Sequence, residues 1–515
     1  MTVKKDAGAS PESGSGPATG GLGTRLASAS SWSIGGQLAA KLLDLATLVV
    51  LLYFLTPADF GLVAQALTIV VIVEAVTMVP IQTPILRIAQ PERALYDTAF
   101  TLTLLRAVLI GAIMALCAVP LAAYFREPDL PPLLYALALA PMVRGCLSPM
   151  MAEFDRRYDL RPYAVMEVTA KTTAFCIAVT IAATTASYWA IAAATITTPL
   201  VLATISYVLA PYRPRLSLVH FASFRDIVGW NTAAQAIETV TWQLDRLMLG
   251  RALPNDVFGR YAASRQINEI PQQSISRPLT RPMIAAFAQA QDQARLRVLW
   301  LKCSNTMLFV VGPIVVGLAL LADEVVRVIF GPGWEGAEVF IFGLALAVLP
   351  QLPWMPLRSL AVATYRTRLQ TFCVFIKLMI SIPVLVIAIK WQGVIGAIIA
   401  KVLIEVAMIP ISAHFIHRLI GVSILDQLWA LRRTVAGLIA LAVMLSALRD
   451  MLMPAFGTHR LVVAMEGGVI FGLAFLGYLS VVFGLWWMAG RPNGIESLMI
   501  DRATAVLAVL RRRLA

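Results

Sequence analysis

The sequence predicts an all-α polytopic membrane protein built from two copies of one helical bundle. Hydrophobic residues make up 59% of the 515 residues and charged residues only 14%, a composition typical of membrane proteins rather than of soluble domains. A window of about 20 residues, the length that crosses a hydrocarbon core, finds about fourteen apolar segments. The connections between these segments are short, which disfavours a separate catalytic domain.

An internal repeat relates the two halves of the chain. Residues 32–84 align with residues 230–282 at a constant offset of 198 positions. The most specific matches are Trp32 with Trp230, Phe60-Gly61 with Phe258-Gly259, Pro80 with Pro278 and Pro84 with Pro282. Parallel repeats bring two similar lobes together around an axis along the membrane normal, with the substrate bound where they meet. The repeat therefore predicts a transporter.

The predicted organisation follows from the repeat and from the distribution of charge. It comprises a polar tail (1–23), a six-helix N-lobe (24–215), a six-helix C-lobe (216–420), a C-terminal helix pair (421–490) and a basic tail (491–515). Basic residues concentrate in connections on the side of the N-terminus, so the positive-inside rule places both termini in the cytoplasm. Much of the net charge of +13 then reflects topology, and no nucleic-acid partner is expected.

The sequence lacks the motifs that would indicate metal binding, ATP hydrolysis or enzymatic sugar transfer. The five cysteines and four histidines stand at unrelated spacings, so we expect free thiols, no metal site and no cofactor. A phosphate-binding GxxxxGK[ST] loop is absent from the sequence, which excludes ATP hydrolysis by that motif. A membrane-embedded polymerase or glycosyltransferase would normally carry carboxylates or histidines in a sizeable external loop. We therefore expect no enzymatic activity.

Charged residues inside predicted spans are the candidate functional groups. Each costs roughly 2.5–3.5 kcal/mol at membrane depth on insertion scales, so a chain that retains many must use or pair them. Six cations in the predicted cytoplasmic half have no acid three or four positions away: Arg106, Arg144, Arg277, Arg281, Lys302 and Lys377. We expect them to line a basic cavity that binds phosphate, although Arg281 and Lys302 also fit headgroup contacts.

Three further cations stand four positions from an acid, a spacing that permits an ion pair along one helix. They are Lys171 with Glu167, Arg265 with Glu269, and Lys401 with Glu405. Lys171 is also a candidate for the cavity, so both interpretations stay open for it.

One predicted span is unusually polar and rich in proline. It contains Pro271, Pro278 and Pro282, with glutamines and serines between them. Each proline removes a backbone hydrogen bond and bends the helix, which suits either a moving gate or a static kink. Trp230, Trp242 and Tyr261 on polar spans are candidates to stack on sugar rings or to serve as packing residues.

Residues 30–66, 127–171 and the stretch VIFGPGWEGAEVF at 328–340 resemble the polysaccharide transport family. This family comprises Wzx-type flippases of the multidrug/oligosaccharidyl-lipid/polysaccharide exporter superfamily. The resemblance implies two six-helix lobes with an extra helix pair. It also implies a polyprenyl-diphosphate-linked oligosaccharide as cargo, moved across a bacterial inner membrane by alternating access, with membrane lipids, polymerase and export proteins as partners.

Coupling to an ion gradient is a second implication of the resemblance. Superfamily relatives use acids of the second lobe for this purpose, and Glu238, Asp245 and Glu405 are the matching candidates. The eleventh predicted span carries Lys377 and no acid, which departs from a sodium site of that kind. A peptidoglycan-precursor flippase and a cation-coupled multidrug exporter remain the alternative functions.

Overall fold

The computed structural model describes residues 19–78, 82–88, 91–157, 159–290, 292–452 and 459–491, together with residues 496, 497 and 499. Most of the predicted polar and basic tails, and Pro80 of the repeat, lie outside the described residues. The described part is helical and contains no strand.

The predicted N-lobe consists of helices joined by short connections. They are α1 (Thr19–Phe54), α2 (Pro57–Val76), α3 (Gln82–Arg87), α4 (Arg93–Phe125), α5 (Leu130–Arg144), α6 (Ala152–Arg156), α7 (Arg161–Thr185) and α8 (Trp189–Leu209). A capping box starts α2, where the Thr56 hydroxyl accepts from the Asp59 amide and Pro57 occupies the first turn. Proline suits this position because its missing N–H would have no partner there.

The predicted C-lobe and the helix pair follow the same plan. Their helices are α9 (Phe221–Ala252), α10 (Asn255–Pro271), α11 (Arg277–Ala288), α12 (Gln293–Leu320), α13 (Ala322–Ile329), α14 (Ala337–Val348), α15 (Leu357–Ala363), α16 (Thr367–Ile420), α17 (Ile424–Leu452) and α18 (Arg460–Met488). Non-helical backbone at Gln392 and Gly393 kinks α16 into two segments. Gly421, with φ of 69°, ends it.

The number of membrane spans is bounded by helix length and composition. Within the described residues, ten helices are long and apolar enough to cross a membrane, or up to eleven if the bent pair Leu130–Arg144 and Pro149–Arg156 forms one span. Helix α16 counts once in that number despite its kink. The polar helices α9 and α10 do not meet this criterion of length and apolar composition, so they are not included in the count. The count of about fourteen spans therefore stays a prediction.

One large hydrophobic cluster contains residues of both halves of the chain. Leu52 and Phe60 from the first half pack in the same buried cluster as Phe258 and Phe340 from the second. The C-terminal pair α17 and α18 packs on α12 through a separate cluster. The interface between the predicted lobes is thus apolar and continuous with the interior.

The Phe-Gly motifs of the repeat meet each other at this interface. A Cβ atom on Gly259 would overlap the Pro57 carbonyl oxygen, and one on Gly61 would overlap the Asn255 carbonyl oxygen. Residue 57 corresponds to residue 255 at the repeat offset, so the two contacts are related by the pseudo-two-fold axis. Glycine is required at both positions because the backbones of α2 and α10 touch. We call this contact the glycine seal.

Polar contacts surround the glycine seal. The Gln65 side-chain amide donates to the Gly250 carbonyl at 3.0 Å and to Asn255 Oδ1 at 2.9 Å. The Gly331 amide donates to the Leu52 carbonyl at 3.0 Å. These bonds join the first half of the chain to the second near the C-terminal end of α1 and in the N-terminal half of α2.

Candidate functional site

The proline-rich helix is irregular where the sequence predicts a bend. Helix α10 ends at Pro271, a π-helical turn covers Gln272–Ser276, and α11 follows with Pro278 in its first turn and Pro282 inside it. Lys41 of α1 donates to Gln273 Oε1 in this turn at 3.2 Å. The irregular segment therefore lies beside the other half of the chain, while its role as a gate stays a prediction.

In the first half, Glu74 contacts two of the predicted cavity cations, one through its carboxylate and one through its backbone carbonyl. Arg144 Nη1 lies 2.7 Å from Glu74 Oε1, and Arg106 Nη2 donates to the Glu74 carbonyl at 2.9 Å. The prediction that Arg144 is unpaired is wrong, because its acid comes from α2 rather than from its own helix. Arg106 keeps a buried Nε without a hydrogen-bond partner.

Lys171 also has a partner on another helix. Its ammonium lies 2.6 Å from Asp44 Oδ1 of α1, and Lys41 lies 3.8 Å from the other oxygen of that carboxylate. Asp44 thus joins α7 to α1. The predicted pair of Lys171 with Glu167 is therefore wrong, because Asp44 is the observed partner, and a role of Lys171 in the cavity stays a prediction.

The second half contains a buried charge cluster around Asp245. The Asp245 carboxylate accepts from the Tyr261 hydroxyl, the Arg265 guanidinium and the Lys401 ammonium, the last at 2.5 Å. Arg265 also binds Glu269 at 2.7 Å, which confirms that predicted pair. The Asp245 side chain is only 4% exposed, so this carboxylate is a buried anion held by two cations of the chain.

The other predicted ion-coupling acids are paired as well. Glu405 binds Lys377 at 2.5 Å, and Glu238 binds Arg358 at 2.6 Å. The prediction that Lys377 is unpaired is therefore wrong, and Lys401 pairs with Asp245 instead of Glu405. Each of the three acids is neutralised by a lysine or an arginine in the structure. An inorganic cation would have to displace that partner, and the coupling role stays a prediction.

Three predicted cavity cations differ from the rest, and one of them, Lys302 of α12, is half-buried and makes no side-chain hydrogen bond or ion pair within the described residues. Arg277 and Arg281 are exposed, and among the described residues neither side chain makes a hydrogen bond or an ion pair. Their spacing of four positions places them on the same face of α11. They form a basic face next to the π-helical turn, and we call it the α11 basic face.

The aromatic candidates have different surroundings. Trp242 is 40% exposed, and the Arg265 guanidinium carbon lies 5.0 Å from its ring centroid. Tyr261 is fully buried against Asp245, so the hypothesis that it stacks on a sugar is wrong. The side chain of Trp230 lies outside the described part of the chain.

Sequence reasoning missed the acids that hold the cations. Asp44 and Glu74 were not predicted as site residues, because their partners lie on other helices and sequence spacing carries no signal for such pairs. Arg246 in α9 was also missed. The spacing criterion that selected Arg106 fits it equally, since positions 242, 243, 249 and 250 hold no acid.

A family model described as polysaccharide biosynthesis protein matches residues 50–338 of the chain. The lipopolysaccharide biosynthesis protein WzxC of Escherichia coli is 24% identical over 395 residues, which cover 75% of this chain and 79% of WzxC. The succinoglycan biosynthesis transport protein ExoT of Rhizobium meliloti is 24% identical over 319 residues, covering 61% of this chain and 65% of ExoT.

Two solved structures share the fold. The lipid II flippase MurJ in an inward closed conformation superposes with a TM-score of 0.64 at 12% identity, covering 88% of this chain and 98% of MurJ. An inward-facing multidrug resistance MATE family transporter of the MOP superfamily gives 0.54 at 12% identity, covering 77% and 95%. At this identity the likeness shows the fold alone, and it confirms the predicted all-α polytopic membrane fold.

Proposed function

The chain belongs to the polysaccharide biosynthesis protein family, and from this premise we propose that it is a flippase for polyprenyl-diphosphate-linked oligosaccharides. It would move these precursors from the cytoplasmic to the periplasmic leaflet for the assembly of a surface polysaccharide. Its relatives carry names from lipopolysaccharide, succinoglycan and amylovoran biosynthesis, and ExoT is named a transport protein, which supports a transport role in polysaccharide assembly.

The observation that carries this proposal is the α11 basic face. An unpaired arginine at membrane depth is costly unless it faces a wet cavity or an anionic ligand. Arginine presents a rigid fork of donors that matches phosphate oxygens in two-point contacts. Arg277 and Arg281 together offer two such forks to a diphosphate. The paired cations Arg144, Lys171 and Lys377 would join the cargo only by exchanging an acid partner for it, and Arg106 only by leaving the Glu74 carbonyl.

Alternating access would use the glycine seal. The seal holds α2 and α10 together by direct backbone contact, and we infer that cargo cannot pass between these two helices while it holds. Opening this passage requires α2 and α10 to separate and the hydrogen bonds of Gln65 to break. The transport cycle would therefore alternate between a sealed and an unsealed arrangement of the same two glycines.

The charge pattern separates this function from export of cationic drugs. The α11 basic face repels cations, and Asp245, Glu238 and Glu405 are already occupied by cations of the chain. A peptidoglycan precursor carries the same diphosphate as other lipid-linked sugars, so it differs in the sugar alone. The two flippase functions therefore differ in the sugar of the cargo, and the positive charge of the site does not distinguish them.

Ligand-dependent thermal stability tests the proposal. A polyprenyl-diphosphate sugar should raise the melting temperature of the purified protein, and added salt should reduce that rise because the contacts are ionic. A ligand at 100 times its dissociation constant that binds only the folded state adds roughly 2.7 kcal/mol of stability. Stabilisation by lipophilic cations, with no response to the lipid-linked sugar, would overturn the flippase and favour the drug exporter.

Orientation is the second part of the proposal. We infer an inner-membrane protein with both termini in the cytoplasm, which supplies the precursor to periplasmic polymerase and export proteins. A reporter active only in the periplasm should function when fused after Gly333, in the loop after α13, and fail when fused after Gln289, at the end of α11. The reverse pattern would place the α11 basic face at the periplasmic side and contradict the proposed direction of transport.

A further inference from the structure

The C-terminal helix pair is attached to the second half of the chain by one arginine. Arg449, in the last turn of α17, uses all three nitrogens of its guanidinium group. Its Nε donates to Glu324 Oε1 at 2.8 Å, its Nη2 donates to Asp323, and its Nη1 donates to the Leu320 carbonyl at 3.2 Å. Leu320 ends α12, and the two acids lie in the first turn of α13. Since the guanidinium is planar and rigid, these three contacts fix the end of α17 on the junction of α12 and α13.

The loop that follows α13, residues 330–336, contacts the first half beside the glycine seal. Its Gly331 amide donates to the Leu52 carbonyl of α1 at 3.0 Å. The Trp334 ring is fully buried and meets the Phe60 ring edge-on, with 5.8 Å between the ring centroids. Phe60 directly precedes the first glycine of the glycine seal. The 330–336 loop therefore forms part of the contact between the two halves.

The helix pair also contacts the first half directly. Arg460, in the first turn of α18, places its guanidinium carbon 5.2 Å from the centroid of the Tyr53 ring. A cation at this distance from an aromatic ring is attracted by the negative face of the ring. Tyr53 lies in the last turn of α1, next to the Leu52 carbonyl that accepts from Gly331. The helix pair thus reaches the first half at the point where the 330–336 loop does.

We propose that Arg449 and Arg460 are positioning residues, through which the C-terminal helix pair bridges the two halves and stabilises the sealed arrangement. Arg449 fixes the pair on the second half, and Arg460 holds Tyr53 of the first half. We call these contacts the helix-pair bridge. Only two residues separate α1 from α2, so the end of α1 must follow α2 when the glycine seal opens. Opening therefore breaks the contact of Arg460 with Tyr53. This inference rests on the proposed use of the seal in transport and is independent of the cargo.

Hydrogen exchange of the Gly331 amide tests the helix-pair bridge. The acceptor of this amide lies in the other half, so the amide exchanges faster when the halves separate more often. Loss of an exposed cation–π contact shifts a two-state equilibrium roughly two- to fivefold. We expect a rise of this size in Arg460→Gln and in Tyr53→Leu, measured on the purified protein without cargo. Tyr53→Phe keeps the ring face and should exchange at the wild-type rate.

A matched control lies in the same helix pair. Arg432 stacks on Trp429 of α17 with 4.1 Å between its guanidinium carbon and the ring centroid, so Arg432→Gln also removes a cation–π contact. It should leave the exchange of the Gly331 amide unchanged. The double variant Tyr53→Leu/Arg460→Gln should exchange no faster than either single variant, because both remove the same contact. Wild-type exchange in Arg460→Gln, or equal exchange in Tyr53→Phe and Tyr53→Leu, would overturn the bridge.

The role of Arg449 needs a separate variant. Since Arg449 fixes both α13 and the helix pair, Arg449→Gln should accelerate exchange of the Gly331 amide at least as much as Arg460→Gln. If Arg449→Gln does not fold, Asp323→Asn gives the same test with a smaller rise, because Glu324 still binds Arg449. A folded variant with a lower melting temperature and wild-type exchange at Gly331 would show that Arg449 has a structural role only.

Leaflet exchange of a lipid-linked sugar separates failure of the bridge from failure of the function. Faster Gly331 exchange in Arg460→Gln, with no movement of the lipid-linked sugar by the wild-type protein, would support the bridge and overturn the flippase. Unchanged Gly331 exchange in Arg460→Gln, with movement of the sugar by the wild-type protein, would overturn the bridge and support the flippase.

Discussion

Alanine at Gly259 is expected to abolish polysaccharide export while leaving the protein in the membrane. The added methyl group would overlap the Pro57 carbonyl and lie 2.9 Å from the Gly61 amide nitrogen, and a backbone atom cannot rotate away as a side chain can. Overpacking of this kind costs about 1–3 kcal/mol, which shifts a two-state equilibrium roughly 5- to 150-fold. The sealed arrangement would be largely lost, and export in a strain lacking the native gene measures the effect.

The same substitution at Gly468 of α18 is the matched control, because a Cβ atom there meets open space. Gly468→Ala should export polymer at the wild-type level. Gly61→Ala should resemble Gly259→Ala, since the two glycines are related by the repeat. Normal export by Gly259→Ala would show that the seal has no part in the transport cycle.

The substitution Asp245→Asn is expected to destabilise the protein by about 3–5 kcal/mol, because it leaves the buried Arg265 and the partly buried Lys401 without their shared anion. The reason lies in burial: the Arg265 side chain is 5% exposed and that of Asp245 is 4% exposed. Thermal or denaturant unfolding of the purified variant measures the loss, and a reduced level of folded protein in the membrane should accompany it.

Glu238→Gln is the comparison for Asp245→Asn. It also removes an acid from an ion pair, but the Arg358 and Glu238 side chains are 52% and 36% exposed. Solvated pairs contribute roughly 0–1 kcal/mol, so Glu238→Gln should be nearly as stable as wild type. If Asp245→Asn were equally stable and lost only a dependence on sodium or on pH, Asp245 would be an ion-coupling residue, as the sequence suggested.

The architecture was predictable because its determinants are local or repeated. Long apolar runs become helices, and Pro271 and its polar neighbours distort one of them into a π-helical turn. The match of Gly61 to Gly259 predicted two related lobes. It did not reveal that the two glycines touch, because an alignment gives equivalence and not proximity. That contact required the packing of α2 against α10.

The site was less predictable because its ion pairs connect different helices. Spacing along the sequence detects pairs such as Arg265 with Glu269, which share a helix. It cannot detect Arg144 with Glu74 or Lys377 with Glu405, whose partners are brought together by tertiary packing. Two cations without an acid at helical spacing, Arg144 and Lys377, are therefore held by acids of other helices, and Arg246 is left without a partner among the described residues although an acid stands next to it in sequence.

Movement of a lipid-linked oligosaccharide between leaflets tests the central claim most directly. The purified protein is reconstituted into liposomes with a fluorescent polyprenyl-diphosphate sugar, and a membrane-impermeant quencher reports the fraction in the outer leaflet over time. The proposed function predicts exchange between leaflets faster than in protein-free liposomes and loss of that exchange in Gly259→Ala. An exchange rate equal to that of protein-free liposomes, with the wild-type protein folded, would contradict it.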